Sequence, residues 1–309
     1  MAEREALAAL AHDLGDDVQR DVSLARLTTY GVGGQAAALV RVRGEDHLHE
    51  VAVAVARSHL PVLVVGLGSN LLVADDGFAG VVVVLGEAFA GVAIEDTTVR
   101  AGGRAKLPVV ARQSAAGGLT GFEWAAGVPG SIGGAVRMNA GVPDADMADA
   151  LSSVKLVDLG SGLETVVGPQ DLALGYRTSS VTDQQVVVWA ELALERGDPQ
   201  QAQRSIRQKT QWRREHQPGG RNAGSVFTNP PGDSAGRLID AAGCKGLRIG
   251  SAEISPKHAN FIVVDENGRA ADVWQVMDEV RQRVFAHSGV VLHAETVMVG
   301  LPALTEVPS

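Results

Sequence analysis

Gly121-Phe122-Glu123-Trp124-Ala125-Ala126-Gly127-Val128-Pro129-Gly130-Ser131-Ile132-Gly133-Gly134-Ala135-Val136-Arg137-Met138-Asn139-Ala140-Gly141 places six glycines in twenty-one residues, with only two charged side chains among them. Glycine lets main-chain N–H groups approach a ligand closely and adopt positive φ, so successive amides can form a concave nest for a diphosphate without any lysine. Tight turns collect glycines as well. What favours the ligand cradle is a second glycine turn upstream.

That turn, Gly66-Leu67-Gly68-Ser69-Asn70-Leu71-Leu72, follows the apolar run Pro61–Val65, which reads as a buried strand. A Rossmann fingerprint needs a third glycine where Leu71 stands and a helix opening there. Here the chain runs on through Val73-Ala74-Asp75-Asp76-Gly77 into another strand, Gly80 to Leu85, so a Rossmann domain is disfavoured. No G-x-x-x-x-G-K-[ST] occurs, which argues against a P-loop nucleotide hydrolase. Two amide-rich turns without a phosphate lysine suit a dinucleotide held through backbone and hydroxyl groups, with Ser69, Asn70 and Ser131 as the polar side chains.

The 309 residues are enough for two or three domains, and 45% hydrophobic with 20% charged residues is ordinary for a soluble globular chain. A net charge of -9 gives no general attraction to nucleic acid, so phosphate recognition has to be local. The single cysteine, Cys244, excludes internal disulfides and cysteine-rich metal sites. The N-terminus lacks a charged-then-apolar secretion signal, and no apolar run approaches the roughly 20 residues that span a bilayer. A cytoplasmic protein without membrane insertion is expected.

Periodicity predicts helices over 3–14, around Leu48, Val51 and Val55, and over Leu107–Ala116. It predicts β structure from Gly91 to Ala105, a hairpin of Ser153–Leu159 with Glu164–Val167, and a strand from Val186 to Glu195. At Gly197-Asp198-Pro199 the pattern changes, because Asp198 can cap a helix that has Pro199 at its first position and runs to Arg214. The domain boundary is placed there, between 1–196 and 197–309. A smaller α+β unit follows, with helices near 234–242 and 272–288 and strands near 247–253 and 261–265. Val273, Val276, Val280 and Val284 line one face of the last helix, and Gly289 ends it. Alternation from Val290 to Gly300 predicts a final strand with Val291, His293, Glu295, Val297 and Val299 on one face.

Glu295 in that valine-rich strand is either an edge carboxylate facing water or one held in a cavity for a purpose. His293-Ala294-Glu295 is a poor zinc site, and no metal site is expected. Ser225 follows the flexible run Gly219-Gly220-Arg221-Asn222-Ala223-Gly224, where serines commonly form turns, and no local feature shows it to be activated. Arg177, beside Tyr176, reads as an ordinary surface residue when taken alone. Gly232-Asp233-Ser234-Ala235-Gly236 fits the G-x-S-x-G elbow of serine hydrolases, but Asn229-Pro230-Pro231 precedes it where a central strand is required. Ser234 more plausibly begins a helix.

Six strings, in order, resemble the UDP-N-acetylenolpyruvoylglucosamine reductase family from about residue 25 to 300. They are Thr28-Thr29-Tyr30-Gly31-Val32-Gly33-Gly34, Gly66-Leu67-Gly68-Ser69-Asn70, the run Gly127 to Gly134, Gly175-Tyr176-Arg177, Asn222-Ala223-Gly224-Ser225 and Lys257-His258-Ala259-Asn260-Phe261. The resemblance implies an α+β chain with an FAD-binding domain of the vanillyl-alcohol-oxidase-like (PCMH) type. A smaller substrate-binding domain follows, whose C-terminal strand contributes to the active site. It implies NADPH as electron donor, a UDP-sugar enolpyruvyl ether as substrate, and hydride transfer from flavin to the vinyl carbon. Ser225 would protonate the adjacent carbon, and Arg177 and Glu295 would stabilise the enolic intermediate.

Cofactor contacts are expected at Gly66, Gly68, Ser69, Asn70, Gly127, Pro129, Gly130, Ser131, Gly133, Gly134 and Asn139, and substrate contacts at Tyr176, Asn229, Lys257, His258 and Asn260. His216 or Arg214 would add polarity. FAD is expected to be non-covalent, because Cys244 lies outside the FAD domain and neither glycine turn holds a histidine. Two departures from the family stand out. Val142-Pro143-Asp144-Ala145-Asp146 replaces the usual continuation after Asn139-Ala140-Gly141. There is also no room between Tyr176 and Ser225 for the extra substrate-closing loop, which places the chain with the shorter, second type. Another flavin oxidoreductase of the same fold, or a non-catalytic flavin-binding protein, stays open on the residues alone.

Overall fold

The strands Val18–Ser23, Gln35–Val42, Phe78–Leu85 and Val62–Val64 form a four-stranded sheet in that spatial order, the last three rich in apolar side chains. Val62–Val64 runs parallel to Val81–Val83 in it. The computed structural model describes residues 2–307. A second, five-stranded sheet has the order Glu164–Val167, Leu151–Asp158, Gln185–Ala193, Thr98–Gly102, Val92–Glu95, antiparallel throughout. Helices α1 (Ala2–Leu14) and α2 (Glu45–Ser58) turn their apolar faces onto one core, where Leu10, Leu48, Val51 and Val55 meet Val40, Val81 and Val83. Helices α3 (Leu107–Ala116), α4 (Ile132–Met138), α5 (Met147–Ala150) and α6 (Pro199–His216) follow. A further core joins Val110, Ile132, Val136, Ala202 and Ile206 with the five-stranded sheet.

The C-terminal part holds α7 (Ala235–Ala241) and α8 (Ala270–Ser288) with a three-stranded antiparallel sheet of Arg248–Ile249, Ala252–Ile254 and Ile262–Val264. The valine stripe of α8 is fully buried, and Gly289, at φ 71°, supplies the left-handed stop. The stretch expected as one strand near 247–253 is instead two, because the chain reverses at Gly250-Ser251. The long final strand is also shorter than expected, Val297–Val299 only, and pairs in parallel with Leu71–Val73. In the stretch leading to it the buried residues are Leu292 and Thr296, while Val297 is 41% exposed, so the expected valine face is the wetter one.

The chain divides into two compact units, and the division is not contiguous. The first joins the chain up to Val22 with Ala36–Leu67 and Ala79–Trp212. The second joins Ser23–Gln35, Gly68–Phe78 and the chain from Arg213 onward. The expected boundary at 196/197 therefore differs in two ways. Most of α6 belongs to the first unit, because Ala202 and Ile206 are buried in its core. Two early segments belong to the second, because Tyr30, Val32 and Leu72 are buried with the α7 and α8 side chains.

Candidate active site

In the first unit, the strand Val62–Val64 delivers Gly66 close to Ser131: a Cβ there would stand 2.7 Å from Ser131 Oγ, so the hydroxyl would have to shift. Ser131 precedes α4, is 2% exposed, and its hydroxyl has no partner among the described residues. An orphaned buried hydroxyl costs about 1–3 kcal/mol unless something satisfies it. Main-chain bonds from Leu107 N to Gly130 O (3.0 Å), Ile132 N to Ala105 O (2.9 Å) and Gly133 N to Gly103 O (2.8 Å) hold the run in place. Pro129 and Gly134 are exposed along it, and Gly127 and Gly130 partly so. The close-approach glycine and the unsatisfied hydroxyl are what a diphosphate-bearing cofactor such as FAD needs.

Asn139, expected among the cofactor contacts, has its side chain taken up by the fold. It ends α4 at φ 40° and is 2% exposed. Its Nδ2 donates to Asp146 Oδ2 and Gly175 O, both at 3.0 Å, and its Oδ1 accepts from Ala148 N at 2.9 Å. It thereby anchors the residue before Tyr176-Arg177. Arg177 sits at φ 58°, donates from Nη2 to Gly141 O at 2.8 Å, and lies 5.0 Å from the centre of the Tyr176 ring. The substituted wall forms a short hairpin, Gly141–Val142 with Ala145–Asp146, and Asp146 opens α5 with a capping box. Val142, Asp144 and Ala145 border a cavity of about 480 Å³ shared with Trp124 and Lys209, which contains none of the expected site residues.

In the second unit, Gly68 has φ 60°, and a Cβ there would run into the Leu27 carbonyl. Its own carbonyl accepts from Thr29 N at 3.0 Å, which ties the Thr28–Gly34 string to the cofactor turn. Ser69 and Asn70 are partly exposed beside it. Asn70 donates from Nδ2 to Glu295 O at 3.0 Å.

The same unit brings Ser225 and Glu295 together through the backbone. Glu295 N donates to Val226 O (2.7 Å) and Thr228 N donates to His293 O (2.9 Å), which frames the antiparallel pair Phe227 and Ala294. Phe227's own N–H and C=O point the other way and meet Asn260. Oδ1 of that side chain accepts from Phe227 N at 3.0 Å, and Nδ2 donates to Phe227 O at 2.8 Å. The Asn260 amide thus imitates a neighbouring strand, and at 4% exposure it faces the fold. Asn229 is exposed and its Oδ1 accepts from Ala235 N, the first residue of α7. Lys257 is exposed and its Nζ donates to Arg214 O at 2.5 Å. Burial lowers the His258 imidazole below its ordinary value; Nδ1 accepts from Asn260 N, and the ring meets Phe261 edge-on at 4.8 Å.

Three residues of this unit escaped sequence reasoning. Tyr30 is fully buried, and burial pushes its phenol well above the usual range, with Thr296 beside it pulling weakly the other way. Asp75, read only as part of a turn, accepts from Ala270 N (2.8 Å) and Ala271 N (3.1 Å) and so caps α8. No local pattern marks either pairing, since the partners lie about two hundred residues or more away. Among the described residues, no group of three or more His, Cys, Asp or Glu is placed to hold a metal ion, and no helix is long and apolar enough to cross a membrane.

Residues 36–168 match the FAD binding domain family, and residues 215–299 match the family described as UDP-N-acetylenolpyruvoylglucosamine reductase, C-terminal domain. A UDP-N-acetylenolpyruvoylglucosamine reductase of Paramagnetospirillum magneticum is 41% identical over 282 residues, 91% of each chain. UDP-N-acetylenolpyruvoylglucosamine reductase 2 of Symbiobacterium thermophilum is 40% identical over 303 residues, 97% of each. The crystal structure of the Thermus caldophilus UDP-N-acetylenolpyruvylglucosamine reductase superposes with a TM-score of 0.79 at 37% identity, covering 91% of this chain and 98% of that one.

Proposed function

The chain belongs to the UDP-N-acetylenolpyruvoylglucosamine reductase family, and from that premise we propose how its own residues reduce the enolpyruvyl ether of UDP-N-acetylglucosamine to UDP-N-acetylmuramate, a peptidoglycan precursor. FAD, held without a covalent link, would supply the redox chemistry that carries hydride from NADPH to the vinyl carbon of the substrate. Gly66, Gly68 and Ser69, with Gly127, Pro129, Gly130, Ser131, Gly133 and Gly134, would hold that cofactor, and the Ser131 hydroxyl would find its missing partner there.

As the substrate's double bond is lost, negative charge gathers on its carboxylate and the adjacent carbon becomes basic. Arg177 can fork onto a carboxylate, which strengthens as the charge grows. Glu295 supports the enolic intermediate that hydride addition creates, and Ser225 delivers its hydroxyl proton to that carbon to complete the reduction. Tyr176, Asn229, Lys257 and His258 are the groups proposed to receive the uridine diphosphate portion. Asn260 acts by holding the Ser225 segment. The net change is one hydride and one proton added across the double bond.

The observation that carries this reading is the hydrogen-bonded frame around Phe227 and Ala294, which fixes Ser225 and Glu295 on adjoining backbone. Ser225→Ala should leave NADPH-driven reduction of the flavin nearly intact and slow reoxidation by the enolpyruvyl substrate by roughly 10² to 10⁴, the scale of general acid catalysis. Equal loss in both half-reactions, followed separately by stopped-flow absorbance, would make Ser225 a structural turn residue.

A further inference from the structure

Asn70 touches the segment of Glu295 twice. Its carbonyl accepts from Val297 N at 3.0 Å, and its side-chain Nδ2 donates to Glu295 O at 3.0 Å. These bonds bracket Thr296 and extend the parallel ladder in which Leu71 faces Val297. In a regular parallel ladder the position that reaches Glu295 O belongs to the main-chain N–H of the residue opposite Thr296. Here the chain is leaving the turn at Gly68, and the Asn70 side chain supplies that donor. Serine would be too short to span the gap, and aspartate has no N–H to offer.

We infer that Asn70 is a positioning residue for Glu295, setting the register of the catalytic segment from the end of the cofactor turn. The inference rests on the role of Glu295 given above. It assigns the Asn70 amide to the protein's own backbone rather than to the cofactor. Losing the donor frees one side of the bracket around Thr296, so Glu295 loses its fixed placement while the turn keeps its glycines. Small misplacements of a reacting group cost rate steeply.

The test compares Asn70→Ala and Asn70→Asp with Glu295→Gln and with the Asn70→Ala/Glu295→Gln pair in the FAD-loaded protein. Both Asn70 variants should retain FAD, measured by fluorescence titration, and be reduced by NADPH at the parental rate. Reoxidation by substrate should slow by roughly 10 to 10²-fold, and hydrogen exchange over residues 292–298 should quicken. The double variant should be no slower than Glu295→Gln alone, because the two losses share one cause. Parental reoxidation in Asn70→Ala and Asn70→Asp, while Glu295→Gln is slow, overturns the inference and leaves the proposed function standing. If Glu295→Gln itself turns over normally, the role of Glu295 falls and the inference with it. If neither Asn70 variant can be reloaded with excess FAD, the amide belongs to the cofactor and the inference is overturned.

Discussion

Replacing Asn260 with leucine should cost far more than its polar, loop-bound position suggests. Leucine fills nearly the same space but leaves the N–H and C=O of Phe227, now bonded at 3.0 and 2.8 Å, without partners in a site that is 4% exposed. Each unpaired buried group costs about 1–3 kcal/mol, so the two together give about 2–6 kcal/mol, and partial access of water brings the expectation to about 2–4 kcal/mol. At roughly 2–4 °C per kcal/mol for a domain of this size, the calorimetric Tm should fall by roughly 5–15 °C. Asn260→Asp gives a sharper check. It keeps the acceptor for Phe227 N but sets a carboxylate against Phe227 O, which should raise that carboxyl's pKa. Lowering the pH until the carboxyl gains a proton restores a donor, so the gap to the parent should narrow in acid. Because the same bonds hold the segment next to Ser225, reoxidation by substrate should slow more than reduction by NADPH. An Asn260→Leu protein within about 0.5 kcal/mol of the parent, or an Asp variant whose deficit ignores pH, would refute the strand-mimic argument.

Gly66→Ala should weaken FAD binding by at least roughly 10-fold in a fluorescence titration, because its Cβ pushes on the Ser131 hydroxyl at 2.7 Å; unchanged affinity would remove that hydroxyl from the cofactor site. Asp75→Ala removes the cap of α8 and should cost about 1 kcal/mol by urea unfolding, the usual scale of a lost N-cap, with parental FAD affinity as the control. Burial lowers the His258 pKa below its ordinary 6.5, so the unfolded chain takes up that proton at higher pH than the folded one. The stability due to this group is full above about 6.5 and is lost as pH falls toward the folded value. His258→Asn should flatten the dependence of Tm on pH in that interval, and an unaltered slope would contradict this. Acid denaturation should release the flavin into the supernatant, and colour retained by the washed precipitate would show a covalent bond.

Where the fold depends on backbone close to the glycines and on apolar spacing, the sequence was legible. Gly66 and Gly68 each lie in a tight turn with a close neighbour, and the helices at 107–116 and 270–288 follow their apolar spacing to within a residue or two. Side chains whose partners are distant in the chain were harder to read. Asn139 and Asn260 looked like ligand-binding amides, because an exposed-type residue in a motif gives no sign that main chain 36 or 33 residues away consumes its bonding capacity. The final strand misled for a related reason. Alternation from Val290 to Gly300 is real, but pairing is set by Val226, Thr228 and Asn70, which take up the 293–297 backbone in pieces. The contiguous boundary at 196/197 differs from the interleaved units because periodicity describes elements one at a time and is blind to which core each joins.

The interleaving of the second unit has a consequence for biosynthesis. Asp75 and the strand Leu71–Val73 leave the ribosome long before α8 and Val297–Val299, the elements they cap and pair with. Until some two hundred further residues have been made, Leu72, Tyr30 and Val32 lack the α7 and α8 side chains that bury them, and the strand edge at Leu71–Val73 stays open. An open apolar edge in a nascent chain is a site for wrong pairing and for chaperone capture. The fragment from 213 onward, made alone, faces the complementary defect, an α8 without its cap and a final strand without its neighbour. Supplying residues 23–35 and 68–78 in front of that fragment through a short linker should make it cooperative in thermal unfolding, while the plain fragment should melt without a clear transition.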